Sequence, residues 1–489
     1  MNETAIKEAG RKSVKWSFFA ELLSKLSMPI STMVLARVLT PEIFGIATAV
    51  TMVVSFCEVV LEGGFAKYLI EHDFSGEDDY KKQFSLLFFL SIISSLLVSV
   101  LIIIFRYPLS SLIGNKGYEI VLAGSTIQIV FASLNALYAA DLKRKFKFNK
   151  LFVIKIIYCL TPFAVTIPLA FLGFGYWSLI IGAAASQILQ LPLLIIYSKN
   201  KLTLKIRIRN LGTILKNSAP MILDSIVVWI CSWIMTLLAT QLFDNKTVGL
   251  IKTSNSTITS LFSLFSASFI SVLLPTLSRL KNNNSDFEDF FIKTQKAAMC
   301  ILPPVGIGCF FFSSTITSLM LGSKWSDASL MIGVFGLTKP LIICYNHFLS
   351  EAFRSRGQFY RSIFYQLFVL SVDILLRLTV GRISIESYIW VSVLCDLIVV
   401  AAAIVILKIN FRFSAIRQIT SLFPSFVCCL IFLPVVLIAS KYNKSLIFTV
   451  AQVLICASIY FAAYFILFKD RFKIMVSYFK LGRNVQEQL

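Results

Sequence analysis

The chain has little charge and few of the residues on which soluble catalysts usually depend. Only 15% of its 489 residues are Asp, Glu, Lys or Arg, whereas 57% are hydrophobic, and the mean hydropathy is +0.81. That is more apolar surface than one or two soluble cores bury, which excludes a soluble enzyme. Histidine is nearly absent, with His72 and His347 the two copies. The ten cysteines (Cys57, Cys159, Cys231, Cys300, Cys309, Cys344, Cys395, Cys428, Cys429, Cys456) lie in apolar runs and form no CxxC pair. Neither a zinc site nor a disulfide framework follows from such a pattern, and no metal or cofactor is expected. Acidic residues are also scarce, 25 against 46 basic, for a net charge of +21. The basic excess sits in short connections between apolar runs. There it reads as a topology signal with some attraction to anionic lipid heads, and nucleic acid is not expected as a partner.

What the sequence does have is a series of long apolar windows. About fourteen membrane helices of roughly 20 residues each account for the hydrophobic fraction. The windows fall near 14–36, 42–62, 84–105, 118–140, 151–172, 176–197, 213–240, 247–275, 297–320, 327–350, 359–380, 385–407, 417–440 and 445–468. Lys7, Arg11, Lys12 and Lys15 precede the first window, which contains Glu21 and Lys25 and lacks a small-residue cleavage pattern. It is therefore read as a retained helix, not a signal peptide. One set of alternate connections holds eight basic residues (Arg37, Arg106, Lys116, Lys246, Lys324, Arg382, Lys441, Lys444), and the set containing both termini holds thirty-three. This asymmetry predicts cytoplasmic termini in a plasma membrane. The stretch from Glu71 to Lys82 mixes signs and reads as a solvated loop.

The chain repeats itself. Leu35-Ala36-Arg37-Val38-Leu39-Thr40-Pro41-Glu42-Ile43-Phe44-Gly45 returns, with one insertion, as Leu238-Ala239-Thr240-Gln241-Leu242-Phe243-Asp244-Asn245-Lys246-Thr247-Val248-Gly249. The offset of 203 sets Glu21 against Asp224. The basic exit of the fourth span, Asp141 to Phe146, is echoed after the tenth by Glu351 to Arg356. A six-span repeat predicts two lobes of the same topology, related by an axis along the membrane normal. The expected domains are 1–200, 201–410, and 411–489 for the last two helices and tail.

Several ionisable residues lie far from span ends, where each costs about 2.5–3.5 kcal/mol on insertion scales. Glu21 and Lys25 share a face of the first span; Asp224 is on the seventh, Lys252 on the eighth, Lys339 on the tenth, Asp373 and Arg377 on the eleventh, and Asp396 on the twelfth. Lys155 sits near an end of the fifth. Lys25, Lys252 and Lys339 are candidate cations for an anionic head group such as pyrophosphate. Glu21 and Asp224 are candidate sites for a coupling H⁺ or Na⁺. Asp373, Arg377 and Asp396 form either part of a charged cavity or a structural pair, and Lys155, Lys252 and Arg377 can also be read as snorkelling. Prolines inside the spans, Pro29 and Pro220 among them, permit kinks.

The phrase from Leu35 to Gly45, with Trp16-Ser17 before it and Gly63-Gly64-Phe65-Ala66 behind it, resembles the N-terminal signature of the bacterial polysaccharide transporter family. That family includes the O-antigen and colanic-acid type lipid-linked oligosaccharide flippases (Wzx) of the multidrug/oligosaccharidyl-lipid/polysaccharide exporter superfamily. Gly173 to Leu179, Pro275 to Leu280 and Leu321 to Trp325 are similar to the same family. The resemblance implies an all-α polytopic fold of 14 helices, two six-helix lobes around a hydrophilic cavity, and a polyprenyl groove at helices 13 and 14. It implies transport of undecaprenyl-pyrophosphate-linked repeat units to the outer leaflet for O-antigen, capsule or exopolysaccharide, without covalent chemistry. Membrane lipids, a polysaccharide polymerase and a chain-length regulator are the partners that go with that role. The related lipid II flippases carry cavity cations on helices 1 and 8, where this chain has Lys25 and Lys252. The rival readings are a cation-coupled multidrug exporter, a membrane-embedded polymerase or glycosyltransferase, and a scaffold. Mid-depth lysines argue against the first, short outer connections against the second, and buried charges against the third.

Overall fold

The computed structural model describes residues 23–71, 74, 76–200, 211–441, 446–473 and 475. Among these the chain is helical, with no strand. The helices are α1 (23–38), α2 (Pro41–Glu71), α3 (Glu77–Ile104), α4 (Arg106–Leu112), α5 (Glu119–Arg144), α6 (Phe148–Phe171), α7 (Tyr176–Ser198) and α8 (Leu211–Leu242). They continue as α9 (Asn245–Leu280), α10 (Asn284–Phe311), α11 (Ser313–Met320), α12 (Ser323–Ser355), α13 (Phe359–Thr379), α14 (Ile385–Phe411), α15 (Ala415–Lys441) and α16 (Leu446–Leu467). Among the described residues nine helices are long and apolar enough to span a bilayer, or ten if α10 and α11, bent by 83°, make one broken span. The described part of every apolar window falls on helix, an arrangement compatible with fourteen crossings. The chain is a multi-pass membrane protein.

The helices overrun their apolar windows because polar residues stabilise their ends. α3 begins at Glu77, with Glu77, Asp78 and Asp79 in its first turn, where carboxylates complement the helix dipole. The stretch read as a solvated loop is thus helical from Glu77 onward, with Lys81 paired to Glu77 at 3.0 Å. The start of α10 is capped by the Asn283 side chain, which accepts from the amides of Ser285 and Asp286.

The exits of α5 and α12, which the sequence pairs, share a backbone geometry. After α5, the Lys147 amide donates to Leu142 O and Phe146 N to Lys143 O, at 2.9 and 3.0 Å. After α12, Gln358 N donates to Phe353 O and Gly357 N to Arg354 O, also at 2.9 and 3.0 Å. Both are helix stops with a left-handed residue, Phe146 at φ 54° and Gly357 at φ 67°. This register matches Leu142 to Phe353, so Asp141 corresponds to Ala352, and Glu351 stands one residue earlier than the sequence pairing placed it.

The described residues form two compact units, one ending at Lys252 and one starting at Thr253. In the first, α2 packs on α5 and α8, with Val50, Val54, Leu122 and Ile129 in the core. In the second, Phe291, Phe353, Phe411 and Phe413 cluster where α10, α12 and the end of α14 meet. Two π-helical turns interrupt the ladder, at Pro162–Thr166 within α6 and at Ile343–His347 within α12, three residues beyond Pro340. Proline removes a backbone donor, and the wider turn accommodates the missing bond.

Candidate functional site

In the first unit, Lys25 lies half-buried on α1. Lys252, on α9, places its ammonium 3.5 Å from the centroid of the Trp233 ring on α8. The ring's negative face holds a cation that a membrane interior would otherwise leave poorly solvated. Trp229, one turn earlier, stacks on Trp233 with centroids 6.1 Å apart and donates its Nε1–H to Ser55 Oγ of α2 at 3.0 Å. Trp233 was not singled out from sequence; its i,i+4 spacing from Trp229 was the available signal. Glu21 lies outside the described residues. Asp224 sits on the described backbone of α8, with its side chain outside the description.

In the second unit, Lys339 of α12 and Asp396 of α14 lie within electrostatic reach of each other, with Thr338 beside the carboxylate. Asp373 and Arg377 form a 2.9 Å ion pair along α13. Arg377 is 3% exposed, and its two terminal nitrogens donate to Tyr388 O and Ser392 Oγ of α14, each at 3.1 Å. Every arm of the guanidinium is used within the protein, the arrangement of a helix-to-helix clamp. The structure therefore holds Lys25 and Lys252 in the first unit and Lys339 in the second, each in different surroundings.

Asp141 is fully buried at the end of α5. Its carboxylate accepts from the Tyr80 hydroxyl, from Ser198 Oγ at 2.8 Å, from Asn200 Nδ2 at 2.7 Å and from Lys145 Nζ at 2.7 Å. This ties the start of α3 and the end of α7 to α5. Arg144 adds to the tie by donating to the carbonyls of Leu69 and Ile70 at 3.1 Å and covering the Phe74 ring at 4.6 Å.

Two cavities stand out. One of about 690 Å³ opens in the first unit between α2, α5, α6, α7 and α8, with Asn135, Lys143, Lys155 and Gln187 among its described lining. The other, about 510 Å³, lies in the second unit between α9, α10, α11 and α16, and residues such as Leu261, Phe265, Phe312, Ile316, Val453 and Phe461 make its wall almost wholly apolar. Both sit within the volume range of small-molecule sites.

The repeated phrase meets itself. A Cβ on Gly45 would lie 1.7 Å from the Asn245 carbonyl oxygen, and one on Gly249 would lie 1.9 Å from that of Pro41. At these two positions only glycine permits backbone on backbone.

Comparison with known proteins agrees with this architecture. The profile of a family described as "Polysaccharide biosynthesis protein" matches residues 34–330. The succinoglycan biosynthesis transport protein ExoT of Rhizobium meliloti (strain 1021) is 19% identical over 342 residues, 70% of this chain and 68% of that one. An uncharacterized membrane protein in the cps region of Klebsiella pneumoniae is 22% identical over 317 residues, 64% of each, so just under two thirds of that relative's length is spanned. Among solved structures, lipid II flippase MurJ in an inward closed conformation superposes with a TM-score of 0.76 at 16% identity, covering 94% of this chain and 99% of that one. An inward-facing MATE family multidrug resistance transporter of the MOP superfamily gives 0.59 at 16% identity, over 79% and 94%. At these identities the likeness concerns the fold.

Proposed function

Because the chain belongs to the polysaccharide biosynthesis protein family, we propose that it moves lipid-linked polysaccharide repeat units across the plasma membrane, with undecaprenyl pyrophosphate as the carrier lipid. The observation that carries this reading is the presence of two unlike features, one in each unit. An apolar cavity walled by α9, α10, α11 and α16 offers a polyprenyl chain a surface and a sugar none. Lysines such as Lys252, held over Trp233, offer a diphosphate its counter-charge. A carrier of cationic drugs has no use for the lysines.

In this reading the basic connections face the cytoplasm, and the unit passes from the inner to the outer leaflet. Lys25, Lys252 and Lys339 draw the head group, and one six-helix lobe (1–200) rocks against the other (201–410), biased by H⁺ or Na⁺ at Glu21 and Asp224. No bond is made or broken. A polymerase and a chain-length regulator would take over on the far side. The test is to delete the gene in its host and label the lipid-linked intermediates. Complete repeat units held on the cytoplasmic leaflet, with surface polymer lost, are expected. Units gathering on the outer leaflet would instead assign the chain to polymerisation, and unchanged intermediates would reject transport of this substrate.

A further inference from the structure

None of the lysines assigned to the head group is in the described wall of the 690 Å³ cavity of the first unit, and that wall has a chemistry of its own. Three helix faces converge on it. On α5, Ala132, Ala136, Ala139 and Ala140 recur at helical spacing beside Asn135 and Lys143, so the helix presents methyl groups where larger side chains would fill the space. Lys155 and Tyr158 share a face of α6, with the ammonium 4.7 Å from the ring centroid. α7 adds Gln187 and Gln190.

Charge and hydrogen-bonding capacity narrow the occupant. The described wall carries two lysines and no carboxylate, although Glu58 on α2 lies within electrostatic reach of Tyr158. Neither lysine has a carboxylate at ion-pair distance among the described residues. An anionic group is therefore favoured. The amides add a second requirement. Asn135 donates from Nδ2 to the backbone oxygen and Oε1 of Gln187, both at 2.8 Å, while its own Oδ1 is buried without a donor. A fully ionised diphosphate diester supplies acceptors alone, whereas a sugar supplies several hydroxyl donors. Asn135 and Lys143 are eight residues apart on one helix, about 12 Å. That distance suits a saccharide extended along α5 better than a single small ion.

We propose that this cavity is a saccharide subsite selective for acidic sugars, in which Lys143 and Lys155 bind the carboxylate and the Asn135, Gln187 and Gln190 amides bind hydroxyls. The proposal rests on the transport reading above by naming the sugar class carried. Lys155 sits on α6, apart from the amides on α5 and α7, so its part in acid recognition is separable from hydroxyl recognition by mutation.

The test uses the purified full-length chain in nanodiscs of zwitterionic lipid, with three probes: a digalacturonate, the neutral digalactoside and inorganic phosphate. Digalacturonate is expected to bind at least about tenfold more tightly than the digalactoside, the worth of one charge-assisted hydrogen bond. Lys155→Gln should remove that preference while leaving neutral-sugar binding in place, Lys155→Arg should keep it, and Asn135→Leu should weaken both sugars. Phosphate at equal concentration should not displace the acid sugar. Equal affinity for the two sugars, no binding of either, or displacement by phosphate alone each overturns the proposal. So does an unchanged preference in Lys155→Gln with a wild-type melting curve. The assay involves no translocation, so a host deletion that leaves lipid-linked intermediates unchanged would reject the transport reading and not this binding result.

Discussion

Gly45 and Gly249 occupy equivalent places in the two copies of one phrase and press on each other's helix starts. Gly45 lies against the Asn245 carbonyl and Gly249 against that of Pro41, and each carbonyl belongs to the residue four before the opposite glycine. The relation is reciprocal, as expected where an internal two-fold passes between repeats. The carbonyls involved are backbone, with no flexible side chain to yield.

The consequence is a matched pair of mutational effects. Gly45→Val and Gly249→Val should each destabilise the protein by about 1–3 kcal/mol, the usual range for overpacking, and should do so to similar extents. Thermal melting in detergent reads the effect directly. A wild-type melt for either variant would mean that α2 and α9 separate without cost, and the close contact would lose its significance.

Asp141 offers a sharper separation of charge from packing. Removing a buried carboxylate leaves Lys145 and three other donors without their acceptor, so Asp141→Ala should cost about 3 kcal/mol or more. Tyr80→Phe takes away one neutral donor and should cost about 1 kcal/mol. Membrane abundance and melting temperature should fall in that order. If Asp141→Ala accumulates and melts like the wild type, the tie between α3, α5 and α7 is not holding those helices.

These elements differ in how far they were legible in the sequence. Spans could be read because lipid demands long apolar runs, but their ends could not, since the carboxylates at Glu77 to Asp79 read as loop until their place in a first helical turn is known. Asp373 and Arg377 could be paired because helical spacing alone brings i and i+4 together. The partners of Asp141 could not, because Tyr80 is 61 residues away and Ser198 is 57. The alanine face of α5 was visible as a period, yet small residues on a membrane helix ordinarily mean close packing. Only the positions of α6 and α7 turn that face into the wall of a cavity.

The clamp on α13 makes a prediction about Arg and Lys. Arg377 uses separate nitrogens for Asp373, Tyr388 and Ser392, which a lysine's single ammonium cannot reproduce. Arg377→Lys should therefore lower membrane abundance nearly as much as Arg377→Met. Adding Asp373→Leu to Arg377→Met should restore part of the loss, since the uncompensated carboxylate goes with it. The readout is abundance and melting for the two singles and the double. A double variant worse than both singles would contradict a structural pair and point to a functional use of each charge.

Lys252 and Trp233 test whether a cation at depth serves the substrate or only the fold. The ring contributes about 2 kcal/mol to a desolvated cation, so Trp233→Leu should leave the ammonium less well held and Trp233→Phe should retain part of the interaction. If Lys252 binds an anionic head group, Lys252→Ala should abolish surface polymer at normal membrane abundance, and Lys252→Arg should keep it, because charge is conserved. Lys25→Ala should behave in the same way. If the cation is structural, polymer and abundance should fall together in all of these variants, in proportion to the melting temperature. Quantifying polymer per molecule of protein in the membrane separates the two outcomes, and wild-type polymer per molecule in Lys252→Ala would remove Lys252 from the head-group site.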